Sequence, residues 1–207
     1  MKKERVVLVI GTFHPITNAH LHMGEIAKEI YPEADVVYVP SNAKFMKKWK
    51  KNIDFLNDSE RMFLLREVAS ANGFLVSSIE LQGKVDGTTI QTVEYFKTKY
   101  EKVAICLGMD KMAEVHKWCE AEKLFRENEF IVFTRNEECL DDIESDFVKK
   151  HRSHIKEVPL ERKYQGVSST KVREAFKQGR LDDVKHTIPI ACYNYLVWKK
   201  SKDIAIY

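Results

Sequence analysis

Val6-Val7-Leu8-Val9-Ile10 and Val103-Ala104-Ile105-Cys106-Leu107 are apolar at every position, where a strand with one wet face would alternate. Uninterrupted apolar runs this short belong to strands covered on both sides. Further runs of the kind predict strands at Asp35–Val39, Phe74–Ser77, Glu129–Thr134 and Ile155–Val158, alongside Arg5–Ile10 and Lys102–Leu107. Between them, helical periodicity predicts helices near Ala19–Ile30, Ser59–Ala71, Thr89–Tyr100, Ala121–Arg126 and Asp141–Lys150. Strand and helix in alternation imply an α/β, Rossmann-like, doubly wound parallel sheet. From Ser168 onward only helices are expected, with Pro189 suited to a first turn. No repeat or linker divides the 207 residues, so one domain spanning 1–207 with a helical C-terminal part about 168–207 is expected.

Composition narrows the class. No apolar run approaches the ~20 residues of a membrane span. The basic start followed by Val6–Ile10 is too short for a signal peptide and reads as a first strand. Cys106, Cys119, Cys139 and Cys192 are scattered, without the spacing of a zinc site or disulfide framework, which suits the cytoplasm. A formal charge of +3 is too slight to imply nucleic acid binding. The crowded lysines, Lys44, Lys47, Lys48, Lys50 and Lys51, read either as a solvated loop or as part of a polyphosphate site. Tyr193, Leu196, Val197 and Trp198 in the last helix either pack inward or form a homo-oligomer interface.

In doubly wound sheets ligands sit beyond the carboxyl ends of the strands, so the loops there come first. After the first strand stands Gly11-Thr12-Phe13-His14-Pro15-Ile16-Thr17-Asn18-Ala19-His20. It is neither GxGxxG nor GxxxxGK[ST]. Its physics is related: Gly11 permits close approach of backbone, and the helix behind it offers free N–H groups to an anion. Thr17 or Asn18 would cap that helix, with His20 in its first turn. Near the other end, Val167-Ser168-Ser169-Thr170-Lys171-Val172-Arg173 opens a helix with consecutive hydroxyls, and Arg173 lies about one turn on. Such a group offers donors and a bidentate fork to phosphate oxygens. Taken singly, each is an ordinary helix cap with a polar neighbour.

Together they carry a resemblance. Gly11, Phe13, Pro15, Thr17 and His20 match the G-x-F-x-P-x-(H/T)-x-G-H signature of the nucleotidylyltransferase superfamily, and Val167–Arg173 resembles its second motif, (I/V)SSTxxR. Ala19 replaces a glycine, and Ile10 stands where a second glycine is common. Mid-chain, Thr89 and Thr92 match the Y-T-x-x-T-L stretch of bacterial nicotinate mononucleotide adenylyltransferases, with Thr88 in place of the aromatic. Leu107-Gly108-Met109-Asp110 resembles their (I/L)-G-x-D segment, Trp118 a tryptophan near the nicotinate ring, and Phe130–Arg135 the strand that follows.

The resemblance implies transfer of AMP from ATP to nicotinate or nicotinamide mononucleotide, with Mg²⁺ carried by phosphate and water. His20 and Thr17 would be the catalytic pair. Gly11, Thr12, Phe13, His20, Lys44, Ser168, Ser169, Thr170 and Arg173 would hold ATP, and Thr89, Asp110 and Trp118 the mononucleotide. The family's P-H-K is missing, so Lys44 and Lys47 compete for one role. Phosphopantetheine adenylyl transfer, cytidylyl transfer to an alcohol phosphate and a non-catalytic nucleotide-binding module remain as alternatives. A metal protein using His151 and His154, or His20 and His22, lacks further ligands nearby in sequence.

Overall fold

The computed structural model describes residues 2–42, 55–135 and 138–204. Six strands, β1 (Lys3–Gly11), β2 (Asp35–Pro40), β3 (Leu75–Val76), β4 (Tyr100–Gly108), β5 (Glu129–Thr134) and β6 (Ile155–Pro159), form one sheet in the order β3-β2-β1-β4-β5-β6. All pairings are parallel. The helices are α1 (Asn18–Ile30), α2 (Asp58–Ala71), α3 (Thr89–Lys97), α4 (Ala121–Glu127), α5 (Asp146–Lys150), α6 (Arg162–Gln165), α7 (Ser169–Lys177) and α8 (Ile190–Ile204).

Period-two alternation sorts the apolar runs into two cores. Val6 and Leu8 face one cluster with Ile105, Leu107, Phe130 and Val132, roofed by Ile90, Val93 and Phe96 of α3 and by Leu124 and Phe125 of α4. Val7 and Val9 face another, with Cys106, Ile131 and Phe133, roofed by Met23 and Ala27 of α1 and by Leu65, Val68 and Ala69 of α2. Full burial of each large aliphatic side chain contributes roughly 1.5–3 kcal/mol, so the sheet's position is strongly determined. The chain moves outward from β1 through β2 to β3, then crosses to β4 on the other side of β1. The gap between β1 and β4 is therefore the switch point at which such folds bind ligands.

A third cluster joins the C-terminal helices to α2: Leu64 meets Val172 and Phe176 of α7, Leu181, Ile188, and Cys192 and Leu196 of α8. The expected all-helical C-terminus is thus α7, a 3₁₀ stretch over Leu181–Thr187, and α8. Three local expectations need correction. The third strand holds only Leu75 and Val76, as a short edge strand. The helix beginning at Thr89 stops at Lys97, because Tyr100 already pairs with Lys3 in the sheet. In place of a helix over Asp141–Lys150, a 3₁₀ turn at Leu140–Asp142 precedes α5, whose N-cap is the Ser145 hydroxyl.

Candidate active site

β1 ends at Gly11 and its neighbour β4 at Gly108, so the loops carrying the expected residues leave the same edge of the sheet at the switch point. Both ends are crowded around a glycine. A Cβ at Gly11 would stand 3.1 Å from the Phe13 ring, and one at Gly108 2.5 Å from Asp110 Oδ1. Phe13 itself adopts φ 44°, a left-handed conformation unusual for a bulky residue and costing about 1–3 kcal/mol. Burial of its ring compensates, 5.7 Å from the Tyr38 ring and edge-on to His20 at 5.2 Å. The Phe13 side chain is therefore taken up by packing.

Thr17 is the N-cap of α1, and His20 occupies its third position. The His20 backbone N–H donates to Thr17 Oγ1 at 3.4 Å. In return the Thr17 backbone N–H donates to His20 Nδ1 at 3.1 Å, with the Thr17 hydroxyl 2.9 Å from the same nitrogen. Because Nδ1 accepts from an amide, the ring's own proton in the neutral form sits on Nε2. Thr17 is buried and its hydroxyl is committed to the histidine. From beneath, the Tyr38 hydroxyl donates to the His20 carbonyl at 2.8 Å, and burial pushes that phenol well above its ordinary value. His20 is thus oriented from two directions. Ala19, in the place of the signature's glycine, is buried.

The second signature lies against the first. Ser168 caps α7, donating nothing to it but accepting from the Lys171 N–H at 3.2 Å. Ser169 Oγ donates to the Pro15 carbonyl at 2.8 Å, and Arg173 Nη1 to the His14 carbonyl at 2.8 Å. Arg173 Nη2 also reaches Thr170 Oγ1 at 2.9 Å. Burial lowers the Arg173 guanidinium from its ordinary value, which leaves an arginine charged. Residues some 155 positions apart therefore close one seam at the mouth of the switch point.

On the other flank, Thr89 opens α3 but Thr88 does not cap it. The Thr88 hydroxyl and N–H both go to Asp86 Oδ1, at 2.6 and 2.7 Å. The first N–H groups of α3 thus have no side-chain cap and present a positive helix end. Asp110 is exposed and pairs with Lys111 at 2.8 Å. Trp118 is partly buried against the core. Lys44 and Lys47 lie outside the described residues. Among the described residues, no three His, Cys, Asp or Glu side chains gather into a metal-ligating set. His151 instead meets Glu122 at 3.0 Å, and His22 lies between Glu25 at 3.1 Å and Glu161 at 3.2 Å.

Sequence reasoning missed three residues that hold this edge together. His14 Nε2 accepts the Leu56 N–H at 2.8 Å. Arg61 of α2, fully buried, donates to the Thr12 carbonyl at 2.6 Å and the Ser41 carbonyl at 2.8 Å, tying the loops after β1 and β2. Glu80, 1% exposed, accepts from Thr92 Oγ1 at 2.8 Å. The one available hint was Glu80 itself, a carboxylate set between the apolar Ile79 and Leu81.

A family model described as cytidylyltransferase-like matches residues 8–175, from β1 through both signatures into α7. The chain belongs to the cytidylyltransferase-like family. Among its relatives, proteins named probable nicotinate-nucleotide adenylyltransferase recur. That of Corynebacterium jeikeium is 29% identical over 90% of this chain and 94% of its own length. The Clostridium tetani protein is 28% identical over 95% and 96%. The Caldicellulosiruptor saccharolyticus protein is 33% identical over a shorter stretch, 63% of this chain and 65% of its own. Among solved structures, a Plasmodium falciparum nicotinic acid mononucleotide adenylyltransferase complexed with NaAD superposes with a TM-score of 0.75 at 18% identity, covering 97% of this chain and 98% of that one. At that identity the likeness establishes the shared fold alone. No helix among the described residues is long and apolar enough to cross a membrane.

Proposed function

We propose that this family member transfers AMP from ATP to nicotinate mononucleotide, releasing pyrophosphate, as a step of NAD synthesis. The observation that carries nucleotidyl transfer is the seam itself: Ser169 and Arg173 hydrogen-bonded to the loop that bears Thr17 and His20. The names of the full-length relatives support the choice of acceptor.

An acceptor phosphate oxygen attacks the α-phosphorus of ATP in line. The bond from that phosphorus to the bridging oxygen breaks, and pyrophosphate leaves with the electron pair. Such transfer asks the protein chiefly for positioning and charge stabilisation. His20, directed by Thr17, donates from Nε2 to the α-phosphate as negative charge develops. Gly11, Thr12 and Phe13 offer backbone to the triphosphate. Ser168, Ser169, Thr170 and Arg173 take the β- and γ-phosphates and the departing pyrophosphate, and Lys44 or Lys47 adds a further cation. The uncapped start of α3 with Thr89 receives the anionic mononucleotide. Asp110 accepts from ribose hydroxyls, and Trp118 offers a face to the pyridine. The side chains at the seam are hydroxyls, imidazole and guanidinium, which fit a Mg²⁺ held by phosphate oxygens and water rather than by a carboxylate cage. When bound, the ion neutralises phosphate charge.

Pyrophosphate release from ATP and Mg²⁺, measured separately with nicotinate mononucleotide, nicotinamide mononucleotide and phosphopantetheine, tests the reading. Release with a pyridine mononucleotide is expected, falling at least a hundredfold in His20→Ala. Release with phosphopantetheine alone would overturn the acceptor, and silence with every pair would overturn the reaction.

A further inference from the structure

Glu80 lies in the loop after β3, and its carboxyl is 1% exposed. Oε1 accepts from the Thr92 hydroxyl at 2.8 Å, while Oε2 has no hydrogen-bond partner. An ionised carboxylate wants donors on both oxygens, and one left bare in a dry site is strongly disfavoured. A neutral acid is the less costly state: Oε1 accepts from Thr92, and the proton on Oε2 leaves one unpartnered O–H in place of an unpartnered charge. The charged groups acting on it are Asp86, which opposes ionisation, and Arg61, which favours it. The Arg61 terminal nitrogens, however, go to Thr12, Ser41 and Asp58, and its Nε, which has no hydrogen-bond partner, makes no bond to Glu80. Burial is the dominant influence and raises this carboxyl to about 7, against the lowering effects of Thr92 and the Asn42 backbone.

The position of the pair gives this acid a role. Thr92 is the first residue of α3 whose N–H is satisfied within the helix, bonded to Thr88 O at 3.2 Å. Glu80 therefore grips the helix at the turn whose leading N–H groups Thr88 leaves uncapped. From the same residue the backbone carbonyl accepts from Asn42 Nδ2 at 2.8 Å, which ties that turn to the end of β2. A negative charge here would compete with an anionic ligand for the positive end of α3; a neutral acid does not.

We propose that Glu80 is a positioning residue for the acceptor, held as a neutral acid so that it fixes the start of α3 through Thr92 without claiming that helix's positive end. The proposal rests on the acceptor reading above. It makes acceptor affinity fall as Glu80 ionises on the alkaline side of neutrality, whatever the acceptor's own titration contributes.

The test compares KM for nicotinate mononucleotide and for ATP from pH 6.5 to 8.5 in the native protein, Glu80→Gln and Thr92→Val. In the native protein the acceptor KM is expected to rise on the order of tenfold across that range, with the ATP KM changing far less. Glu80→Gln cannot ionise and should flatten the acceptor profile. Thr92→Val removes the donor that favours the carboxylate and should move the rise to higher pH. A Glu80→Gln profile that parallels the native one overturns the proposal while leaving the acceptor reading intact. Infrared difference spectra between the two pH values provide a readout independent of turnover. A protonated-carboxyl carbonyl band that titrates near neutrality in the native protein and is missing from Glu80→Gln is expected, and its absence from the native protein also overturns the proposal. If a different acceptor is the one turned over, the acceptor reading falls and the infrared band still decides the state of Glu80.

Discussion

In the proposed reaction His20 comes to the α-phosphate with one ring nitrogen already committed. Two donors from Thr17 converge on Nδ1, so the same threonine that starts α1 also dictates which nitrogen carries the proton. Thr17→Ser keeps both interactions and should keep most activity. Thr17→Val keeps the backbone N–H but loses the cap and the hydroxyl. It should cost about 1 kcal/mol in thermal stability and at least tenfold in kcat, measured with KM held separate. A cap at Thr17 or Asn18 with His20 in the first turn was legible in the sequence because it belongs to local helix chemistry, whereas the roles given to Thr17 and His20 came from the resemblance. Arg173 was legible as a donor, though not as the residue that holds the His14 carbonyl. Arg61 was not legible, and Glu80 only as a carboxylate between apolar Ile79 and Leu81. Neither a helical arginine nor a loop glutamate reveals what encloses it, since the loops that do so come from distant parts of the chain.

α2 shows how one element serves two layers with neighbouring residues. Arg61 points into the edge where the site is built. Glu60, one position earlier, faces the C-terminal helices, where it accepts from Lys199 Nζ at 2.6 Å and from the Tyr195 hydroxyl at 2.8 Å. Burial works to raise the Glu60 carboxyl, but Lys199, the Asn57 N–H and Tyr195 together hold it below its ordinary value. Most of the adhesion between α2 and α8 is nevertheless apolar, because Leu196 is completely buried in their shared cluster. Leu196→Ala should therefore cost about 3 kcal/mol in urea denaturation, and Tyr195→Phe only about 1 kcal/mol. Equal costs would mean that the polar contacts, not the packing, hold α8 in place. The sequence indicated helices from Ser168 onward, yet their docking on α2 could not be read from it. Amphipathic helices show that a face is buried without showing which surface buries it.

For the molecule as a whole, pH sets two opposing limits on stability. Asp35 and Glu129 join Glu60 in standing below their ordinary values. Burial opposes this, but Lys3 and Tyr100 hold Asp35 down, and Tyr31 and Arg5 hold Glu129 down. The stabilisation these groups give is complete above the ordinary carboxylate range and is lost as pH falls through their lowered values. Glu80 acts in the other direction. Raised by burial to about 7, it stabilises fully below its ordinary value, and that contribution disappears as pH climbs through neutrality. The thermal midpoint should therefore peak near pH 5 and decline toward pH 8. In Glu80→Gln the decline should flatten, with a difference on the order of 3 kcal/mol at pH 8, measured by scanning calorimetry across the range. Sheet class and the central strands were plain from the apolar runs, because burial on both faces leaves its mark along them, whereas the edge strand at Leu75–Val76 is too short and exposed to carry that mark. The direction in which pH acts on stability depends on carboxyls whose surroundings only the folded chain defines.

The bonds from Ser169 and Arg173 to the Pro15 and His14 carbonyls also bear on the order in which the enzyme comes into being. Synthesis proceeds from the amino end, so the strand and loop bearing His20 are made first and the helix that completes them is made last, after all six strands. The central strands can pair before α7 is made, but in the proposed reaction the share of the triphosphate site that Ser169 and Arg173 supply is added only with α7. On the proposed reading, ATP turnover is therefore expected only from chains that extend through α7, since the loop after β1 and the helix that closes on it stand at opposite ends of the fold's sequence.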